Sequence, residues 1–330
     1  MSELEDPVTT VVRLLSKNMR VAKDDGATAS IYVSREWYDR ELFKNYDGQI
    51  TVGLAESRDT KVEMSGRIRR RLGSLRVNVW ATDRPAQVDT GRVTRNKMIE
   101  EVNRIVRENR TIPNQTCYDF VGVGPPTGTQ KAYYAKTTNC LLPPTAPDWT
   151  ELAAADYEKL WYRDDDRYSF SHIDAPKYAQ MLFRFKIESR EKTVKKIVLA
   201  FEGYGSGGGG PYPGIVLRGA WNYETEAWNK SASGEAESDE VLTITITPPL
   251  SNYIDENGYV WLLAETTYGA EGGKSAVIYC DYASCTVTIN GITYVDVVSY
   301  RDADRVDVKP VIFRTEFALK SWLFENVLGG

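Results

Sequence analysis

The sequence predicts an α+β domain joined to an all-β sandwich or jelly roll, with the sandwich inserted into the first domain. Three observations lead there. Residues 1–112 read as helix, alternating strands, helix. Residues 148–290 hold at least seven segments of period-2 alternation punctuated by Gly-rich turns, the texture of a sandwich. A further alternating strand near residues 311–324 follows a sandwich whose set is already full, whereas the first domain is short of strands. The 330 residues therefore divide into an α+β domain (1–112 and 291–330), a linker (113–147) and an inserted sandwich (148–290).

Asp6-Pro7 is a helix-start signature, and Val8, Val11, Val12 and Leu15 recur at helical spacing up to about Asn18,. Ser30–Ser34 is rich in strand formers. Ile50/Val52/Leu54, Val62/Met64/Ile68 and Leu75/Val77/Val79/Ala81 alternate as half-buried antiparallel strands do,. After Asp83-Arg84-Pro85 an amphipathic helix is expected over Gly91–Asn109, with Val93, Met98, Ile99, Val102, Ile105 and Val106 on its apolar face,. Pro113, Pro125, Pro126, Pro143, Pro144 and Pro147, with Gly122, Gly124 and Gly128 among them, mark the linker,. Within the sandwich, the strand faces are Ala179/Met181/Phe183/Phe185/Ile187, Ile197/Leu199/Phe201, Ile215–Tyr223, Leu242/Ile244/Ile246, Tyr259–Glu265 and Ala276–Ile289. One short helix is expected at about Glu151–Leu160, and Val311/Phe313/Phe317/Leu319 form the returning strand.

Composition bounds the chemistry. The chain is 42% hydrophobic with 8 Trp, 20 Tyr and 9 Phe, enough apolar surface for packed cores,. A net charge of -5 argues against a dedicated nucleic-acid binder,. The single histidine, His172, excludes multi-histidine zinc sites and HExxH proteases within one chain,. Its setting, Ser171-His172-Ile173-Asp174, reads as a polar loop rather than a catalytic base,. Cys117, Cys140, Cys280 and Cys285 form no CxxC, and the last two are expected to face opposite ways on one strand,. Free thiols in a reducing compartment follow. The acidic N-terminus has no apolar core and no run approaches a membrane span, so a soluble chain made in a cytoplasm is expected,.

Gly203-Tyr204-Gly205-Ser206 followed by four glycines lacks the Lys-Ser/Thr and helix of a phosphate loop, and is read as a hairpin loop,. Asp164-Asp165-Asp166, beside Arg163 and Arg167, offers oxygens for a structural Ca²⁺, though an EF-hand spacing is absent and a solvated turn is the plainer reading,. Trp221, Tyr223 and Trp228 are candidate stacking surfaces for sugar rings, with core or inter-domain packing as the plainer reading,. Thirteen Lys/Arg face six acids between Lys61 and Arg110, whereas nine acids face one lysine between Ser231 and Cys285. The centre of the basic stretch, Arg67, Arg69, Arg70 and Arg71, is placed at a strand end or hairpin tip. Contact with phosphates, docking on an acidic subunit, or an ordinary solvated hairpin are the three readings of it.

The run Arg71-Leu72-Gly73-Ser74-Leu75-Arg76-Val77-Asn78-Val79-Trp80-Ala81-Thr82-Asp83, the helix Met98–Val106 and the closing stretch from Arg301 to Phe317 resemble the tail-terminator (tail-completion) proteins of long-tailed viruses. The resemblance covers about 150 of the 330 residues and rests on element order and texture. The sandwich departs from compact members of that family; its texture resembles carbohydrate-binding modules. The resemblance implies a homo-oligomeric ring, typically a hexamer, that caps the tail tube and joins it to head-completion or neck proteins. It implies a virion location at the tail–neck junction after synthesis in the host cytoplasm, transient non-specific contact with passing DNA, no membrane, no catalysis and no cofactor. The basic hairpin would face the lumen or an acidic ring, and the sandwich would decorate the outside. The alternative is a carbohydrate-binding or adhesion protein acting through the sandwich.

Overall fold

The computed structural model describes residues 3–35, 37–62, 68–85, 87–124, 128–188, 191–207 and 214–326. The chain forms two compact units: Glu3–Asn114 together with the stretch from Asn290 onward, and Gln115–Ile289.

In the first unit, α1 (Pro7–Asn18) starts where the Asp6 carboxylate accepts from Thr9 N at 3.1 Å, with Pro7 in the first turn,. Val8, Val11, Leu14 and Leu15 are buried on its inner face. Strand β1 (Ile31–Ser34) runs parallel to β2 (Gly48–Lys61), which pairs antiparallel with β3 (Ile68–Thr82). Helix α2 (Gly91–Glu108) is capped by the Thr90 hydroxyl and buries Met98, Val102, Ile105 and Val106. Ile50 and Val52 are in the core with Leu75, Val77 and Val79. Leu54, expected to share that face, keeps its place opposite Leu75 but is 49% exposed, because burial along β2 ends at Val52 and the strand runs on with its residues exposed. Val62 is also exposed; Met64 lies outside the described residues.

The second unit begins earlier than the sequence implied. The stretch expected to be a linker carries β4 (Gln115–Tyr118) and β5 (Lys131–Thr137). Its prolines and glycines punctuate strands instead of replacing them, since proline is tolerated at strand ends and turns. The strands that follow are β6 (Thr150–Glu151), β7 (Tyr168–His172), β8 (Tyr178–Lys186), β9 (Val194–Ser206), β10 (Ile215–Gly219), β11 (Trp221–Asn222) and β12 (Ala227–Trp228). Then come β13 (Ser231–Gly234), β14 (Glu240–Ile246), β15 (Tyr259–Thr266) and β16 (Ala276–Ile289). The expected helix shrinks to α3 (Ala154–Glu158), between β6 and β7. One sheet has the order β13-β10-β15-β8-β5-β6, and the other β14-β9-β16-β4 with β7 also on β16. Between them lie Met181, Phe183 and Phe185 of one sheet and Leu199, Phe201 and Ile278 of the other. The Phe183 and Phe201 rings meet at 6.0 Å. His172 ends a strand rather than sitting in a loop, buried with its ring 5.9 Å from that of Phe170.

A β-bulge at Asp281 changes the parity of β16, whose pairing with β9 shifts between Cys280 and Tyr282. Before it Ala276, Ile278 and Cys280 point into the core; after it Ala283, Cys285, Val287 and Ile289 do. An extra residue reverses which side chains face inward. Cys280 and Cys285 are therefore both in the core, contrary to the alternation expected of an unbroken strand.

Strands β17 (Tyr294–Asp302) and β18 (Ile312–Asn326) complete the sheet of the first unit, in the order β1-β2-β3-β18-β17. β18 pairs antiparallel with β3 along its whole length, from Ile312 opposite Thr82 to Asn326 opposite Ile68. Phe317, Leu319 and Leu323 enter the first unit's core. Among the described residues no helix is long and apolar enough to cross a membrane.

Candidate functional site

Strand parity places two kinds of side chain on the six-stranded sheet of the sandwich. Because Met181, Phe183 and Phe185 point into the core, Gln180, Leu182, Arg184 and Lys186 of β8 point to the opposite face,. On β15 the same rule sends Val260 and Leu262 inward, and Tyr259, Trp261, Leu263 and Glu265 outward. β5 contributes Lys131, Tyr133 and Ala135 to that outer face, since Ala132 packs in the core. Register then sets neighbours: Lys131 lies opposite Arg184, which lies opposite Trp261, and Lys186 lies opposite Tyr259.

One end of this face is aromatic and basic. The Tyr133 and Trp261 rings are 6.4 Å apart. The Arg184 guanidinium lies 4.3 Å from the Tyr259 centroid and 5.8 Å from that of Trp261, and Lys186 Nζ lies 5.1 Å from Tyr259. All five side chains are half-buried, so each ring keeps a solvent-facing part. The Tyr223 hydroxyl donates to the Tyr259 carbonyl at 3.0 Å and steadies the edge. Burial pushes the Tyr133 hydroxyl above its ordinary range, and the Arg184 charge opposes that shift. Lys131 is held by Glu151 at 2.5 Å.

The other end is closed. Glu265 is 2% exposed and sits between Arg218 Nε and Gln180 Nε2, each at 3.0 Å. Burial pushes its carboxyl up to about 7, and the bonds from Arg218 and Gln180 only partly offset this. Gln180 Nε2 also donates to Asn139 O, and Trp228 Nε1 donates to Leu142 O, so the segment between β5 and β6 runs over this part of the sheet.

The residues singled out from the sequence are dispersed. Trp221 is buried, packed edge-on against Trp228 across β11 and β12 with centroids 5.2 Å apart, so it offers no ring face to a ligand. Trp228 is half-buried. Tyr223 alone of the three borders the aromatic end. Arg67 lies outside the described residues, and Arg69, Arg70 and Arg71 are in β3, flanked by β2 and β18. Alternation sends Arg69 and Arg71 to one face and Arg70 to the other, which divides the expected basic patch. Arg71 pairs with Asp59 at 2.9 Å and holds that carboxyl below the usual range. Asp165 pairs with Arg167 and Asp166 with Lys159, so the acidic turn is matched by cations. Among the described residues no group of three His, Cys, Asp or Glu side chains is placed to hold a metal ion.

Tyr133, Arg184, Tyr259 and Trp261 escaped the sequence reading. Tyr133 lies in the supposed linker, and Trp261 is hidden in the apolar run Tyr259–Glu265. The available signal was parity: Arg184 and Lys186 alternate with Phe183 and Phe185, marking the face opposite the core,.

A family described as "Uncharacterized protein, C-terminal domain" matches residues 128–289. No curated protein matches the chain significantly. Among solved structures, the chain is similar to the enzymatically active domain of Bacteriophage CBA120 tailspike protein 4, at 9% identity and a TM-score of 0.24, covering 53% of this chain and 19% of that one. It is also similar to the family 11 carbohydrate-binding module of Clostridium thermocellum, at 12% identity and a TM-score of 0.20, covering 52% of this chain and 88% of that one. A third is a non-crystalline cellulose specific carbohydrate-binding module, CBM28, at 8% identity and a TM-score of 0.22, covering 48% and 87%.

Proposed function

We propose that this protein is a non-enzymatic, cofactor-free binding protein whose sandwich takes carbohydrate on the outer face of its six-stranded sheet. One observation carries the reading: Tyr133, Tyr259 and Trp261 present partly exposed rings on one sheet face, ringed by polar groups. Flat apolar rings with hydrogen-bonding groups at their edges suit the faces and hydroxyls of a pyranose. The test is a glycan array and affinity electrophoresis on a panel of polysaccharides, comparing the wild type with Trp261→Ala. Retention of at least one glycan, lost in the variant while its circular dichroism is unchanged, is expected. No retention of any glycan, or equal retention by both proteins, would overturn the reading.

A second reading concerns the first unit. β2, β3 and β18 stay paired beyond the helix-backed core, out to Lys61, Arg69 and Glu325. β1 covers β2 only over Gly48–Thr51, leaving the rest of that edge without a strand partner among the described residues. Leu54 and Phe324 are about half exposed on this extension. An open edge with apolar side chains is a surface for pairing with another chain. We infer that copies of the protein assemble through this extension, in keeping with a ring at the end of a virion tail tube, joined to neck proteins. Mass photometry of the purified protein tests it: discrete rings support the reading, and a monomer that stays monomeric when mixed with tail tubes removes it.

A further inference from the structure

The cations on the outer face of the six-stranded sheet are not equivalent. Lys131 is matched by Glu151 and Arg218 by Glu265. Arg184 and Lys186 have no carboxylate partner among the described residues, and Arg184 Nε is buried without any hydrogen-bond partner. Asp255, the acid next to this corner, is occupied: its carboxylate accepts from the Tyr259 backbone N at 2.6 Å. The guanidinium is held by the Tyr259 and Trp261 rings, at 4.3 and 5.8 Å, instead of by an anion. With Nε buried, the stacking keeps the guanidinium in a defined plane and leaves its two terminal nitrogens as the donors for an oxyanion, the arrangement suited to planar, bidentate capture,. Lys186, on the same side of β8 two residues on, adds a second unmatched charge beside the same Tyr259 ring.

We propose that the aromatic face selects acidic glycans, with Arg184 and Lys186 binding the carboxylate or sulfate of a sugar whose ring stacks on Trp261 and Tyr133. The inference rests on the carbohydrate-binding reading above and adds the charge of the ligand to it. A neutral glucan offers these donors only hydroxyl oxygens, which leave both charges without a counter-charge, whereas hydrogen bonds to an anion are the stronger kind. An acidic unit satisfies both and relieves two unbalanced positive charges on one side of the sheet.

The experiment measures binding of the full chain to polygalacturonate, chondroitin sulfate and neutral mixed-linkage β-glucan by affinity electrophoresis and calorimetry. Wild type, Arg184→Met, Lys186→Met and Trp261→Ala are compared at 50 and 500 mM NaCl. Expected is retention by an acidic polymer, with the carboxylated and sulfated arms identifying the anion. Affinity should fall by roughly tenfold or more in Arg184→Met, the scale of a hydrogen bond to a charged group. It should fall several-fold in Lys186→Met, whose position at the sheet rim leaves the core untouched, and in wild type at the higher salt, where screening shortens to a few ångströms. If the β-glucan binds as tightly as the acidic polymers, indifferent to salt and to both charge variants but lost in Trp261→Ala, acidic selectivity is wrong and the carbohydrate face stands. If no polymer binds, or binding survives Trp261→Ala, both the selectivity and the site fall.

Discussion

The Arg184 guanidinium lies 4.3 Å from the centre of the Tyr259 ring, on the adjacent strand and on the face turned away from the core. Neither residue has a packing duty in the apolar interior, so their pairing is a property of the surface. A cation over an aromatic ring is worth about 0.5–1 kcal/mol when exposed and about 2 kcal/mol when desolvated. The first prediction follows from this coupling. Tyr259→Leu should weaken glycan binding by removing both a ring and the support of Arg184. Combined with Arg184→Met it should lose less than the sum of the two single effects, with a coupling of about 1 kcal/mol. Calorimetric titration of the four proteins checks it, and strict additivity would mean that the two residues act separately.

Glu265 supplies the second prediction. Its carboxyl in the folded protein titrates at about 7, well above the ordinary 4.5. The folded state therefore holds the proton more tightly than the unfolded chain does. The resulting stabilisation is present below about pH 4.5 and declines as pH rises to about 7, amounting to roughly 3 kcal/mol over that interval. The contribution of this group to the melting temperature of the sandwich should accordingly be larger at pH 5 than at pH 8,. Glu265→Gln keeps the shape and removes the titration. Thermal unfolding of both proteins across pH 5–8 should show the difference between them changing through this range; parallel curves would contradict it.

Much of this fold was legible because burial and alternation coincide in most strands. β9 buries Ile197, Leu199 and Phe201, and β14 buries Leu242, Ile244 and Ile246, as their period-2 patterns implied. Legibility failed where one residue changed the parity or where punctuation was taken for absence of structure. The bulge at Asp281 is of the first kind, since it leaves no mark in composition. The proline-rich stretch holding Tyr133 is of the second. The aromatic face was hidden for a third reason: its members come from β5, β8 and β15, and only strand register brings them together. Trp221 illustrates the converse, a conspicuous residue whose ring is spent against Trp228.

The bulge gives the third prediction. Cys280 and Cys285 are fully buried, and burial pushes both thiols far above the ordinary cysteine range. Thiolate is the reactive form, so both should be inert in the native protein. Mass-spectrometric mapping after treatment with iodoacetamide should find these two unmodified until denaturant is added. Cys117, which is exposed but whose thiol pKa is also raised by burial and by Asp119, should react in the native state, more slowly than a free thiol and faster than the two core cysteines,. Modification of Cys280 or Cys285 at the rate of a free thiol under native conditions would show that β16 opens readily.

The last prediction concerns Gly203, the residue of β9 that faces the bulge from the neighbouring strand, opposite Cys280. Its φ is 154°, and a Cβ built there would stand 2.1 Å from the Tyr279 carbonyl oxygen and 2.9 Å from the Phe201 ring. The first of these neighbours is backbone in the middle of a sheet and has no rotamer through which to retreat. Gly203→Ala must therefore move one strand or the other, at a cost of about 2 kcal/mol or more. Gly53 makes the control: it lies in β2 of the other unit, and nothing stands within 4 Å of the Cβ position. In urea denaturation Gly203→Ala should lower the midpoint of unfolding clearly, and Gly53→Ala should change it little. Equal behaviour of the two would mean that the bulge yields to an added methyl group, and the tight β9–β16 register at this point would have to be given up.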